Sequence, residues 1–278
     1  MSGRSWYQLA CDACRAGKTA EAVDALRAGR AAGEWWSPSL LDEDHDLDPI
    51  RGTPGYAAIR RECADLHAAA TAASRPACTI LSPATPTWEE QCLLLLHGRG
   101  MPAALLRERL APLVGEGWTL ISLQSSQPFG SAGFCWDDAV KGREEVLGQL
   151  EECRRVRGLS LGRLVVVGAS RGARLAIEIA REIGVPWLGV IPSFPRDFDT
   201  GGIAPATVSP RGSLLLGTED PFTPHARTVA RMLESSGAQV RVVEMAGVGH
   251  ELPDDLASHA RVALEWITAG GAADDAYG

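Results

Sequence analysis

The stretch "VVVGASRGARLAI", residues 165–177, runs a series of valines into Gly168-Ala169-Ser170-Arg171-Gly172 and leaves it as an amphipathic, helix-forming segment. The pattern Gly-x-Ser-x-Gly is short enough to arise by chance in a chain with 30 glycines, so its neighbourhood has to decide its meaning. A buried strand before the pentapeptide and a helix after it would put Ser170 on a tight strand-turn-helix bend. The two glycines would relieve the crowding there. The N-terminal amides of the following helix would then face the serine and favour negative charge beside it.

Outward from this point the chain alternates. Short apolar runs occur at "CLLLLHG" (92–98), "WTLISL" (118–123), "RLVVVG" (163–168), "WLGVI" (187–191), "SLLLG" (213–217) and "VRVVEM" (240–245). Helix-like segments lie near 101–115, 138–157, 171–183, 222–236 and 254–269. Strands that are apolar on both faces and separated by helices predict an open α/β domain with a mostly parallel sheet covered on both sides. Ligands of such sheets bind beyond the carboxyl ends of the strands. No Gly-x-Gly-x-x-Gly or Walker-type loop follows any of these runs, which argues against nucleotide binding.

Of the 278 residues, 45% are apolar, and the net charge is −8 without any basic run. That balance argues against nucleic acid and anionic membrane as partners. No apolar stretch reaches the roughly 20 residues of a membrane span. The opening "MSGRSWYQLACDACRAGKTAEAV" has no signal-peptide apolar region, so a cytoplasmic location is expected. Seven cysteines, at 11, 14, 63, 78, 92, 135 and 153, show no disulfide spacing. Cys11 and Cys14 form a Cys-x-x-Cys that lacks a second ligand pair, so no metal is expected and the thiols read as small apolar fillers.

The chain divides near residue 75: a helical extension over 1–75, an α/β domain over 76–270, and a flexible tail over 271–278. In the extension, Gly17 breaks one helix and Thr19 is expected to cap a second, antiparallel one. "GKTAEAVDALRAG" resembles the second helix of a tetratricopeptide repeat, and "DLDPIRGTPGYAAIRREC" resembles the irregular tail that follows such repeats. One repeat cannot form a solenoid. The segment is therefore expected to cap the main domain, or alternatively to take a protein partner or self-associate.

A serine hydroxyl becomes nucleophilic when a histidine accepts its proton and a carboxylate orients that histidine. Asp220, in "GTEDPF", follows one strand, and His250, in "AGVGHELP", follows the last. Both come from the same sheet edge as Ser170, in the order Ser, Asp, His. Glu219, Asp197 and Asp199 are rival acids, and His225 and His259 are rival bases expected on helices. The backbone amides of Arg171 and Arg99 are the expected oxyanion donors. His97 is expected to brace the loop that carries Arg99.

Together, "LLLLHGRG", "SSQPFGSAGFCWDDAVKGREEVL", "VVVGASRGARLAIEIA", "LLLGTEDPF" and "GVGHELPDDL" resemble the carboxylesterase/phospholipase branch of the α/β-hydrolases, near the dienelactone hydrolases. The likeness covers roughly residues 78–270. It implies the α/β-hydrolase fold, a Ser-Asp-His triad and no cofactor. Dienelactone hydrolases proper use cysteine, so Ser170 points to the esterase side. The family commonly has Gly-Phe-Ser-Gln-Gly at the bend, whereas this chain has Ala169 and Arg171; its loop reads Arg99-Gly100-Met101. Paired arginines beside the nucleophile could bind an anionic substrate group or face solvent.

Phe129, Phe134, Trp136, Phe194 and Phe198 are candidates for an apolar substrate pocket or for core packing, and Asp137 for a helix cap. The expected substrate is a small acyl compound, a carboxylic ester or thioester, hydrolysed through an acyl-enzyme. The alternatives are a specialised biosynthetic acyltransferase, cyclase or lyase on the same scaffold, or an interaction scaffold using the N-terminal helices.

Overall fold

The computed structural model describes residues 5–84, 91–158, 164–196, 198 and 211–269. The expected tail at 271–278 and the rival acids Asp197 and Asp199 lie outside the described residues. The chain forms two units: one comprises Met1–Arg75 with Ser126–Phe134, the other Pro76–Ser125 with Cys135–Gly278. The sequence division at 75 left Ser126–Phe134 in the α/β domain; its contacts group it with the N-terminal unit.

Among the described residues, the α/β unit is built on a seven-stranded sheet. Its strands are β1 (Ala77–Leu81), β2 (Cys92–Leu96), β3 (Thr119–Gln124), β6 (Leu164–Ala169), β7 (Trp187–Val190), β8 (Arg211–Gly217) and β9 (Gln239–Met245), in the order β1-β3-β2-β6-β7-β8-β9, while the short β4 (Gln127–Pro128) and β5 (Phe134–Cys135) pair with each other. All neighbours are parallel except β1, which pairs antiparallel with β3. β1 lies just past the division at 75, where "ACTIL" is bounded by Pro76 and Pro83 and is too short to stand out from the turn residues around it.

The unbroken apolar runs have a physical cause. Along β2 and β6 alternate residues enter two separate cores, Leu94, Leu96 and Val166 on one face and Leu93, Leu95, Val165 and Val167 on the other. The first face is covered by α6 (Ala139–Arg157), α7 (Gly172–Ile183) and α8 (Thr223–Ser235). The second is covered by α5 (Ala103–Leu110) and α9 (Leu256–Thr268). Both faces exclude water, so no polar alternation survives in the sequence.

The first unit contains α1 (Trp6–Arg15), α2 (Thr19–Ala31), α3 (Pro38–Glu43) and α4 (Pro54–Ala73) around its own core of Leu26, Trp36, Leu41, Leu47, Ile50 and Tyr56. Thr19 is the first helical residue of α2, and the cap position falls on Lys18, which makes no side-chain cap bond. The segment expected to be irregular holds α4, a 20-residue helix. Its start was written in the sequence: Thr53 accepts the Tyr56 amide and Pro54 occupies the first turn, as Ser37 and Pro38 do for α3. None of the seven cysteines forms a disulfide. Among the described residues no helix is long and apolar enough to cross a membrane.

A tight approach inside the sheet offers a test of this packing. A Cβ on Gly212 would lie 1.8 Å from the ring of Trp187, which is fully buried in the next strand. Gly212→Ala is expected to lower stability by about 1–3 kcal/mol through overpacking, measured as a shift in the urea midpoint at unchanged slope.

Candidate functional site

β2 and β6 are hydrogen-bonded neighbours, yet the chain runs from β2 outward to β3 before returning to β6 and onward through β7, β8 and β9. The sheet therefore reverses its winding direction between them, and the two loops leaving their carboxyl ends open a crevice. Leu96 pairs with Gly168, which sets the His97–Gly98 turn beside Ala169–Ser170. The approach is close enough to exclude side chains. A Cβ on Gly172 would meet the His97 carbonyl oxygen at 2.3 Å, and one on Gly98 would lie 3.1 Å from the Ser170 Cβ.

Ser170 has φ +48°, in the left-handed region, a conformation that costs a non-glycine residue about 1–3 kcal/mol. Three backbone bonds hold it there. The Ser170 amide donates to Val190 O at 2.9 Å, and Ser170 O accepts from Ala173 N at 3.1 Å and Ser193 N at 3.2 Å. Ser193 reaches this position through Ile191, a second residue at positive φ (+39°), which is fully buried and tied to Leu215 O. A β-branched residue in this conformation leaves no sequence signal, and neither Ile191 nor Ser193 was anticipated.

The Ser170 hydroxyl lies 2.9 Å from His250 Nε2, and His250 Nδ1 lies 2.8 Å from Asp220 Oδ2. The other Asp220 oxygen, Oδ1, accepts the Phe222 amide at 2.9 Å, so the carboxylate is held at both oxygens and is buried. The Phe222 ring meets the His250 imidazole edge-on at 4.7 Å between centroids. The β8 and β9 loops that carry Asp220 and His250 are themselves laced together: Glu219 N donates to Val248 O at 3.0 Å and Gly247 N to Thr218 Oγ1 at 2.9 Å.

The rivals stand elsewhere. Glu219 is exposed; His225, on α8, lies 3.1 Å from Pro195 O; and His259, on α9, lies 3.4 Å from Asp255.

On the opposite side of Ser170, His97 is fully buried. Its Nε2 accepts from Ser125 N at 3.2 Å and from Gln124 Nε2 at 3.0 Å, so Nδ1 carries the proton and donates to Gly98 O at 2.8 Å. Gln124 Oε1 in turn accepts the Ala103 amide at the start of α5. Trp136 stacks on the His97 ring at 4.8 Å and donates its indole N–H to His97 O at 3.0 Å. Desolvation pushes the His97 pKa down to about 4, against the smaller opposing effect of the Gly98 carbonyl.

The Arg99 guanidinium pairs with Asp137 at 2.8 Å. Asp137 was expected to cap the following helix; the cap is Asp138, which accepts the Lys141 amide, while Asp137 is turned toward Arg99. Arg99 is thus neutralised, and of the two arginines flanking the serine only Arg171 is left without an ion-pair partner among the described residues. The Arg171 amide follows Ser170 at the N-terminus of α7, where first-turn N–H groups lack intrahelical acceptors.

Of the aromatic candidates, Trp136, Phe194 and Phe198 are buried in the core cluster on the α7 face, with Phe194 and Phe198 in contact at 5.0 Å. Phe129, in the segment that groups with the first unit, is buried and its carbonyl accepts from Ser37 N, and Phe134 is half-buried.

One group of possible metal ligands occurs among the described residues, Cys11, Asp44 and Asp46 in the first unit, with ligand atoms within 4.8 Å of one another. Its atoms already serve each other. Tyr7 donates to Asp44 at 2.8 Å and Asp46 pairs with Arg15. Desolvation, reinforced by the nearby carboxylates, pushes the Cys11 thiol up to about 12, away from the thiolate that a metal needs.

No family model and no curated protein matches the chain. Solved structures do. An uncharacterized protein from Bacillus cereus ATCC 10987 matches at 20% identity and TM-score 0.58, over 97% of this chain and 89% of that one. A carboxylesterase from Bacillus cereus matches at 18% identity and TM-score 0.54, over 73% of this chain and 98% of its own. An alpha-beta serine hydrolase homologue from Coxiella burnetii matches at 15% and 0.54, over 68% and 90%. With the sheet order above, these likenesses establish the α/β-hydrolase fold.

The buried His97 makes stability depend on pH with a definite sign. Unfolded, it takes up a proton near pH 6.5; folded, only near 4. Between those values the unfolded chain binds the proton and the native chain does not, so stability falls as pH falls through this window and levels off below it. The full effect is about 3 kcal/mol. Urea unfolding at pH 7 and pH 4 is expected to show a loss smaller by about this amount in His97→Gln than in the wild type.

Proposed function

We propose that this protein is a serine hydrolase that cleaves a carboxylic ester or thioester through an acyl-enzyme on Ser170. The observation that carries the reading is the unbroken hydrogen-bond chain from Ser170 Oγ through His250 to Asp220. It stands at the carboxyl edge of an α/β-hydrolase sheet, on a strained bend that three backbone bonds maintain.

In this mechanism His250 Nε2 takes the Ser170 proton as Oγ attacks the acyl carbonyl, and Asp220 keeps Nδ1 protonated and stabilises the imidazolium. Phe222 limits rotation of the imidazole from its exposed side. The amides of Arg171 and Arg99 receive the oxyanion. His250 then returns its proton to the leaving alcohol or thiol and activates the water that releases the acid. Acyl transfer to an acceptor other than water uses the same acyl-enzyme, and the acceptor alone distinguishes the two. His97 stays neutral at physiological pH, which suits a strut and leaves His250 as the base.

A fluorophosphonate probe is expected to add one phosphonyl group to the wild-type protein, at Ser170, and none to Ser170→Ala, as read by intact mass and peptide mapping. Asp220→Asn is expected to lower kcat on a p-nitrophenyl ester by about 10^4-fold, because the wrong imidazole tautomer is then favoured. Folded wild-type protein that neither takes the probe nor turns over an ester would overturn the reading.

A further inference from the structure

The chain leaves β3 at Ser125, crosses into the first unit as Ser126–Phe134, and re-enters the α/β unit at Cys135. Both points of departure are fastened to the loop beside Ser170. At one end Ser125 N and Gln124 hold His97 Nε2. At the other, Trp136 stacks on His97 and bonds its carbonyl, and Asp137 holds Arg99. The excursion between them is not left to itself. Within the first unit Ser37 N donates to Phe129 O and Ser131 N to Trp35 O, both at 3.0 Å; Trp36 and Gly130 form an antiparallel bridge; and His67 Nε2 donates to Pro128 O at 3.1 Å while its ring meets Trp35 edge-on.

We propose that the N-terminal unit is a positioning element for the Gly98–Met101 loop, exerting its hold through Ser126–Phe134, and that His67 is the side chain that fastens this segment. His67 touches no reacting group; it acts through the chain. A loose excursion lets residues 125 and 135–137 drift, and with them the His97 and Arg99 contacts that set the amides beside Ser170. Misplacing an oxyanion donor by about 1 Å costs on the order of 100-fold in rate. The catalytic part of the proposal rests on the reading of Ser170 as nucleophile; the mechanical part does not.

The experiment uses the full-length protein and three variants. His67→Ala removes the bond to Pro128 O, His67→Gln restores a donor there, and Gly130→Val forces the excursion off the first unit, since a Cβ at 130 would lie 2.9 Å from Trp35 O. Amide hydrogen exchange over 126–134 and over 98–101 is read first, then kcat and KM on an ester. His67→Ala and Gly130→Val are expected to raise exchange in both segments and to lower kcat by on the order of 10- to 100-fold with KM within about twofold. His67→Gln is expected to return both towards wild type.

Loosening of 126–134 with no change at 98–101, or no loosening of either segment in either variant, overturns the proposal. Wild-type protein without ester turnover would sink the reading of the site instead, because exchange at 98–101 is measured without catalysis.

Discussion

The carbonyl oxygen of His97 stands where a side chain at position 172 would have to be. That single approach, between the carboxyl ends of two adjacent parallel strands, organises the rest of the site. It allows the bend after β6 to bring Ser170, with its left-handed backbone, beside the β2 loop, and it requires glycine at 172. The strain of that backbone persists because the neighbouring strands over-determine it: Val190 takes the Ser170 amide and Ser193 takes its carbonyl. A surface turn without such partners would relax.

The two sides of Ser170 are held by different physics. On the His250 side the partners are polar and partly reachable by water, and Asp220 is fixed by one bond to the imidazole and one to the backbone. On the other side His97, Ser125 and Trp136 are buried, and the histidine is a neutral group whose acceptor, donor and carbonyl are all matched. Burying a titratable ring so completely is costly if it charges, which is why its protonation is displaced toward pH 4. One histidine thus bridges the Ser170 hydroxyl and the Asp220 carboxylate, and the other is kept neutral by its burial, although both follow strands of one sheet.

The N-terminal unit has a core of its own, in which Cys11, Cys14 and Cys63 are packed as apolar groups. It also incorporates a segment from far along the chain, Ser126–Phe134. Phe129, a candidate for a substrate pocket or for core packing, illustrates the consequence: it lies in this segment, is buried, and accepts the Ser37 amide at its carbonyl. Long-range pairing such as the Trp36–Gly130 bridge has no local signature, because neither partner's immediate neighbours announce it.

The α/β class, the order of the principal strands and helices, and the positions of Ser170, Asp220 and His250 relative to strand ends are legible in the amino-acid sequence. They are so because two-sided burial writes continuous apolar runs and because tight bends demand glycine at fixed offsets. The Ser37-Pro38 and Thr53-Pro54 helix starts are local signals of the same kind. Contacts made on folding settle that β1 closes one edge antiparallel, that Asp137 faces Arg99 while Asp138 caps α6, that Ile191 and Ser193 support the bend, and that Ser126–Phe134 belongs with the N-terminal helices. Each of these depends on which groups meet across the fold, and a hydrogen bond or ion pair between residues far apart in the chain leaves neither periodicity nor spacing behind.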